Sequence, residues 1–420
     1  MSSPDLARDN DVAARPESSA SLSLSTSLGR RALVILLVLD LSYLINAMDR
    51  QVFAVLLPDI KATYLLSGGQ AGTLSTIFTL GMGLAGIPAG YLADRVGRKK
   101  LILASLLVFS VSCALQAAAV GVADMALWRI LSGVGEGMQN AALYAAVGAY
   151  FARHRGVAIG SVNAAFGLGA FTGPLLGGAL RSATGDWRIP LVVFGGLGLL
   201  ILALVYLTVP RSVTEVGRGS TGADTGGAAP LPGLLNQRVV CAACAAVAGG
   251  FTIYGYLGLY PTYLREAHGF TPAQASWAAS MFGLGAVGSV LCGVVADRVN
   301  QRAFNMAGFL GIAVLGIGIF GFAAPFPIQM ILSLLLGVAF TGIVYTNTSS
   351  LMQRSVDVRY VGRVSGLFVA AMYIPASVSG YVFAALQAHL GWRAAGLVQL
   401  SVIPLLGLVA MAAMPTRRTR

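Results

Sequence analysis

Twelve apolar stretches, each long enough to cross a lipid bilayer, follow one another from Arg31 to Met414. They fall at 32–57, 70–93, 99–119, 122–150, 156–180, 189–209, 237–261, 273–296, 303–324, 328–352, 361–386 and 393–414. A helix needs about 20 apolar residues to span the ~30 Å hydrocarbon layer. Backbone polar groups in that layer must pair within the chain, so runs of this kind are read as helices. Only 10% of the 420 residues are charged, and the mean hydropathy is +0.77. A soluble domain carries about 25% charged residues. The shortfall excludes an ordinary water-soluble enzyme, and the high hydrophobicity excludes a disordered chain. Glycine is abundant, with 53 residues and no G-X-Y period, which suits close helix approach inside a bilayer. The expected fold class is an all-α membrane protein, with twelve transmembrane helices in two pseudo-symmetric six-helix bundles.

The boundaries follow from composition. Residues 1–31 are polar and Ser-rich, and they read as a disordered cytoplasmic tail rather than a signal peptide. Residues 210–236 hold Arg211, Glu215, Arg218, Asp224 and a Gly-rich run, and they read as a flexible cytoplasmic linker between bundles at 32–209 and 237–414. Residues 415–420 form a short tail. With both termini placed in the cytoplasm, 21 of the 28 Lys and Arg fall on that side and five on the other, while Arg50 and Arg129 lie inside spans. This bias is the one that orients membrane proteins, here in a bacterial inner membrane. The net charge of +12 is therefore assigned to loops, and no nucleic-acid partner is expected. Cys241 and Cys244 sit in an Ala-rich apolar run without a nearby His. They read as packing residues, so no metal and no cofactor is expected. The three histidines, His154, His268 and His389, fall in expected loops, and no H-E-x-x-H occurs. This argues against an intramembrane enzyme.

The two halves repeat each other. GYLADRVGRKK (90–100) follows the second span and GVVADRVNQR (293–302) follows the eighth, with Asp94 and Asp297 separated by 203 residues. GDWR precedes the sixth span and GWR the twelfth, with Trp187 and Trp392 separated by 205 residues. Duplicated six-helix halves around a midplane site describe a secondary transporter.

These motifs resemble those of the major facilitator superfamily over about Arg31 to Met414. The loop from Gly90 to Lys100 fits the superfamily's loop 2–3 motif at Gly90, Asp94, Arg95, Gly97 and Arg98. Its copy keeps Gly293, Asp297, Arg298 and Arg302. The fourth span carries RILSGVGEG from Arg129, similar to the family's R-x-x-x-G-x-G pattern. The first span carries NAMDR (46–50), and a D-R pair there resembles the organic-anion symporter and spinster-like branches. The fifth span carries GAFTGPLLGG (169–178), which resembles the motif associated with antiporters. The resemblance implies alternating access, a gate latch at Gly90–Lys100, and a central cavity lined by spans 1, 4, 7 and 10. Gly169, Gly173 and Gly177 form a small-residue ridge, and Pro174 favours a bend.

Five ionisable residues lie well inside spans: Asp40, Asp49, Arg50, Arg129 and Glu136. Unpaired at the bilayer centre they would cost roughly 12–17 kcal/mol together, so they must pair or face water. Arg129 and Glu136 are seven apart, within about 20° on an ideal helix, with Gly133 and Asn140 on the same side. Tyr43, Asn46 and Arg50 share a face of the first span. Asp49 and Arg129 both lie about 10–12 Å below the expected span ends, which predicts an Asp49–Arg129 pair with Glu136 deeper. A carboxylate in low dielectric exchanges its proton when a cation leaves it. Asp49 is the first candidate proton carrier and Glu136 the second, with Arg129 as the regulating cation. A permanent ion pair that only pins helices is the structural alternative. The second half offers neutral hydrogen-bonders, including Tyr256, Tyr260, Tyr373 and Gln399. Tyr254, Tyr345 and Asn347 are the preferred substrate candidates there, beside Tyr43, Asn46, Arg50 and Asn140 in the first half. The expected partners are a small organic solute (favoured as an organic anion), protons and membrane lipid, with a monomer expected. Proton-coupled symport leads. A proton-antiporting exporter of drugs, metabolites or lipid-like amphiphiles is the alternative.

Overall fold

The computed structural model describes residues 29–151, 155–214, 236–356 and 361–415. Among the described residues the chain makes twelve helical passes. In the first half these are α1 (Arg30–Thr63), α2 (Gly68–Thr76, resuming as Phe78–Val96), α3 (Arg98–Gln116), α4 (Val122–Tyr150), α5 (Arg155–Thr184) and α6 (Arg188–Thr208). In the second half they are α7 (Gln237–His268), α8 (Pro272–Val287, resuming as Ser289–Arg298), α9 (Gln301–Gly321) and α10 (Phe326–Gln353, with a π-helical stretch at Val338–Tyr345). α11 starts at Val361 and is interrupted at Ser377–Val378; at Gly391, with φ of 76°, it gives way to α12, which ends at Ala412. Among the described residues, eight helical runs are long and apolar enough to cross a membrane by length and composition, one of them, Arg363–Ala412, joining α11 and α12. α2 and α8 are broken at Ile77 and Gly288, and α4 carries Arg129 and Glu136. Of the stretch expected to be a linker, Arg211–Thr214 forms one helical turn with Val213 and Thr214 buried. Residues 215–235 lie outside the described residues, as do 1–28 and 416–420.

The first helix of each half runs past its expected end. α1 continues through Pro58 to Thr63 and α7 through Pro261 to His268. The two prolines are 203 residues apart, the offset of the loop motifs. Proline removes one backbone donor, and a helix tolerates this where neighbours pack around the freed carbonyl. Gly269, with φ of 67°, ends α7 in the left-handed conformation. A second copy of the repeat lies in the caps. Ser67 with Gln70 opens α2 and Thr271 with Gln274 opens α8, each as a reciprocal capping box.

The extensions of α1 and α7 carry charges that join at one end of the molecule. Arg181 of α5 grips Asp59 with two hydrogen bonds, at 2.6 and 3.1 Å. Arg265 of α7 reaches the same carboxylate at 3.3 Å, and Lys61 pairs with Glu266 at 2.8 Å. At this end α2 and α11 touch through glycine backbone: a Cβ on Gly72 or Gly380 would collide with the other residue's carbonyl. Thr76 Oγ1 donates to the Ser377 carbonyl at 2.8 Å and accepts from Gly380 N at 3.3 Å. Along α5, Gly167 and Gly178 receive Val287 and Ser276 of α8. Among the described residues, Ser289–Arg298 touches α5 far less than Pro272–Val287 does. The two halves are therefore held together at the Asp59 end; away from it the α5–α8 contact thins, while α2 and α11 stay in contact as far as Gly83 with Ile374 and Gly86 with Val369.

Asp59→Asn removes the one anion shared by Arg181 and Arg265. It is expected to weaken this closure by about 1–3 kcal/mol, between an exposed and a buried pair. Thiol labelling of a cysteine introduced at Thr76 should accelerate in the variant. Unchanged labelling would show that the glycine contacts alone hold the end shut.

Candidate functional site

α1 and α4 run antiparallel, and side chains rather than backbones bridge them. Arg50 Nε donates to Glu136 Oε2 at 2.9 Å, and its Nη2 donates to Asn46 Oδ1 at 2.9 Å. Asn46 Nδ2 donates to Gln139 Oε1 at 2.9 Å, and Gln139 Nε2 donates to Ser42 Oγ at 3.0 Å. Toward the Asp59 end, Ser132 Oγ donates to Asp49 Oδ2 at 2.9 Å and stands 3.2 Å from Glu136 Oε1. All these side chains are buried. A buried ion pair survives only if its remaining lone pairs and protons are satisfied. The seam of Ser42, Asn46, Asp49 and Arg50 against Ser132, Glu136 and Gln139 supplies those partners.

The expected Asp49–Arg129 pair does not form. The register between the helices sets Ser132, one turn along, opposite Asp49. Arg129 lies level with Phe53 instead, and its guanidinium is sandwiched between the rings of Phe53 and Phe78, at 4.1 and 4.4 Å from their centroids. Its Nε and Nη2 donate to the carbonyls of Leu74 and Ser75, both at 3.3 Å. Those carbonyls immediately precede the interruption of α2 at Ile77. Gly81 and Gly133 bring α2 close enough for this, since a Cβ on either would strike backbone of the other helix. Arg129 Nη1 is buried without a partner. Its charge still acts on Asp49 and Glu136 across the intervening space. The polar stripe of α4 is also turned by one residue from the expected face. Gln139 enters the seam, and Asn140 is half-buried with no hydrogen bond among the described residues. Ser42, Ser132 and Gln139 were missed. Their signal was present: polar residues at i, i+4 and i+7 on both helices define the seam. Asp40, nearer the termini, is buried beside Ser161 with Oδ1 unpartnered.

Beside Arg50, α1, α2 and α7 enclose a small cleft. Arg50, Ser75, Phe78, Tyr254, Leu257 and Gly258 line it. Arg50 Nη1 makes no hydrogen bond among the described residues, so this edge of the guanidinium is unspent. The Arg50 guanidinium also lies 5.3 Å from the centre of the Phe166 ring. Tyrosines from both halves surround it. Tyr43 packs edge-on to Tyr144 at 5.7 Å, and Tyr254 packs on Tyr373 at 5.5 Å and on Phe78 at 5.9 Å. Tyr43, Tyr254 and Tyr373 lie within electrostatic range of Arg50. Tyr345 closes the π-helical stretch of α10 and faces Phe368 at 5.2 Å. Asn347 turns back on its own helix, with Nδ2 donating to the Ile343 carbonyl at 2.8 Å. Tyr144, Phe166 and Tyr373 join the preferred candidates in this aromatic wall. No group of residues able to hold a metal occurs among the described residues.

The loop motif is partly visible. Gly97 has φ of 102°, which only glycine adopts without strain, and it turns α2 directly into α3. Arg95 lies over Tyr91 at 4.6 Å. Arg98 Nη1 donates to the Thr214 carbonyl at 3.5 Å and Lys99 Nζ to the Tyr206 carbonyl at 2.9 Å. These bonds fasten the motif to the end of α6 and the helical turn after it. Gly90, Asp94 and Asp297 lie in helical backbone, but the side chains of the two aspartates and the surroundings of Gly90 fall outside the described residues; Arg298 is exposed. In α5, Gly169 and Gly173 pack against the backbone of α1 at Leu44 and Met48, and Gly177 against Val52. α5 is continuous through Pro174.

The family model described as Major Facilitator Superfamily matches residues 39–380 and 242–420. The chain belongs to the Major Facilitator Superfamily. It is 28% identical over 278 residues to the hexuronate transporter of Bacillus subtilis, a match covering 64% of this chain and 65% of that one. It is 28% identical over 377 residues to the protein named "Probable sulfoacetate transporter SauU" of Cupriavidus necator, covering 83% and 86%. The crystal structure of a bacterial homologue of the human lysosomal transporter spinster, inward-facing and unoccupied, superposes with a TM-score of 0.74 at 19% identity, covering 92% of this chain and 98% of that chain. The likeness to organic-anion and spinster-type relatives agrees with the motifs in α1 and α4.

Glu136→Ala leaves Arg50 buried without its anion and is expected to cost about 3–5 kcal/mol. Replacing both partners, as Arg50→Met with Glu136→Leu, should recover most of that loss. Thermal unfolding of the purified variants in detergent checks both statements, and a Glu136→Ala protein as stable as the parent would remove the pair from its structural role.

Proposed function

We propose that the chain is a secondary transporter that carries a small organic anion across the bacterial cytoplasmic membrane, coupled to protons as a symporter. What supports this reading is Arg50, which lines a small cleft together with residues of both halves and keeps Nη1 unspent while its Nε holds Glu136. An anionic group in the cleft competes with Glu136 for the same guanidinium. A carboxylate that loses its cation in low dielectric is neutralised by a proton, so anion and proton are taken together. Asp49 and Glu136 are the proton sites, and Arg129 is the fixed cation that biases them. Tyr43, Tyr144, Tyr254, Tyr345 and Tyr373 supply hydroxyls and ring faces to the rest of the substrate. The substrates named for the hexuronate and sulfoacetate relatives are organic anions, in keeping with this chemistry.

The bundles at 32–209 and 237–414 rock about the cleft, with the Asp59 end outward, the termini in the cytoplasm and a monomer as the working unit. The closure by Asp59, Arg181, Arg265, Lys61 and Glu266 then belongs to the inward-facing state, and the Gly90–Lys100 loop latches the opposite end when the molecule turns. The glycine ridge of α5, which suggested an antiporter, is used here to pack α1.

Purified protein in proteoliposomes is expected to accumulate a hexuronate or a sulfonated acid when the outside is acidic, and Arg50→Lys should lower uptake at least tenfold. Asp49→Asn should abolish pH-driven uptake and spare counterflow. Unchanged pH-driven uptake would remove Asp49 from the coupling role. Stabilisation by hydrophobic cations, with no response to organic acids, would favour proton-coupled export instead.

A further inference from the structure

We propose that the Ser132 hydroxyl is the switchable link through which one proton passes between Glu136 and Asp49. The proposal rests on the proton-coupled reading above and adds the route. Ser132 is fully buried, with Oγ 2.9 Å from Asp49 Oδ2 and 3.2 Å from Glu136 Oε1. A hydroxyl has one proton and two lone pairs. It donates to one carboxyl group. The other contact is a hydrogen bond only when that carboxyl carries a proton and donates to Oγ. Two ionised carboxylates would leave one pair of oxygens facing each other with no proton between them. When the trio carries one additional proton, that proton sits on Glu136 or on Asp49.

Transfer needs no further reactant. The Glu136 O–H bond breaks as that proton binds Oγ; the Ser132 O–H bond breaks as its own proton binds Asp49. The serine ends as a hydroxyl, and one proton has moved between carboxylates on different helices. Several other buried serines spend their proton on their own helix, as Ser75 does on the Gly72 carbonyl and Ser105 on the Ile102 carbonyl. Ser132 donates across to α1 instead. Its backbone is held on two sides. Gly133 abuts the Phe78 carbonyl of α2, and Gly135 abuts Phe109 and Ser105 of α3. The charged and titratable groups facing the trio are Arg50 on α1, Arg129 on α4, Cys113 on α3, and the more distant Tyr43 and Tyr254. Arg50 touches only the Glu136 side, so occupation of Arg50 by an anion changes the two ends of the chain unequally.

Ser132→Ala, Ser132→Cys, Ser132→Thr and Asp49→Asn are compared in proteoliposomes containing a pH-sensitive dye, with the transported acid as probe. In Ser132→Ala and Ser132→Cys, pH-driven uptake and substrate-triggered proton entry are expected to fall at least tenfold. Counterflow should stay within about twofold of the parent, and Ser132→Thr should restore pH-driven uptake to within about threefold. Parental pH-driven uptake in Ser132→Ala or Ser132→Cys overturns the link. So does an equal loss of counterflow and pH-driven uptake in all three serine variants, which marks a packing role. Parental pH-driven uptake in Asp49→Asn removes Asp49 as the far end of the link and overturns it as well; the proton-coupled reading itself fails, independently of Ser132, if the parent protein shows no pH-driven uptake of the acid.

Discussion

Two guanidinium groups and two carboxylates are buried between α1 and α4, each no more than 4% exposed. Removing a charge from water costs several kcal/mol even after relaxation, so the surrounding architecture is shaped by the need to satisfy these four. Three neighbours contribute. α2 breaks at Ile77 and offers carbonyls to Arg129. α5 presents Gly169, Gly173 and Gly177, so that α1 is braced along its back. α3 is admitted by Gly135 and stiffens α4 behind Ser132. Some of the glycines that made the composition unusual let backbones approach to hold the polar seam in register, and others, such as Gly250, Gly285 and Gly337, make equally close approaches in the second half.

Much of the fold was legible because the bilayer imposes a length on every span and a sign on every loop. The repeat was legible for the same reason, and Pro58 with Pro261 and Ser67 with Thr271 extend it beyond the two markers that first revealed it. What spacing along one helix cannot encode is the register between two. Arg129 and Asp49 lie at similar distances from the ends of their apolar runs, yet α1 continues six residues past Leu57, which shifts Asp49 a turn and more from the expected level. The side-chain identities that decide the pairing are then those of Ser132 and Phe53, a hydroxyl and a ring that carry no charge signal. Asn347 shows the complementary failure. Polar and on an expected cavity helix, it spends its amide on its own backbone.

The duplicated halves share caps, prolines and loops but not chemistry. Among the described residues the seam of charges occurs only in the first half, and the second half answers with tyrosines and phenylalanines around Tyr254, Tyr345 and Tyr373. Duplication preserved the scaffold, where a capping box or a glycine contact works equally well in either copy. The cleft lies between dissimilar walls, with fixed charge on one side and polarisable rings on the other.

α1 is unbroken from Arg30 to Thr63. Arg50 and Asp59 therefore stand on one rod, nine residues and about 14 Å apart. A twist that reorients Arg50 toward a new partner turns Asp59 by the same angle, away from or toward Arg181 and Arg265. Centre and closed end thus share one helix with no relay of side chains between them, and a turn of that helix would reach both as torque.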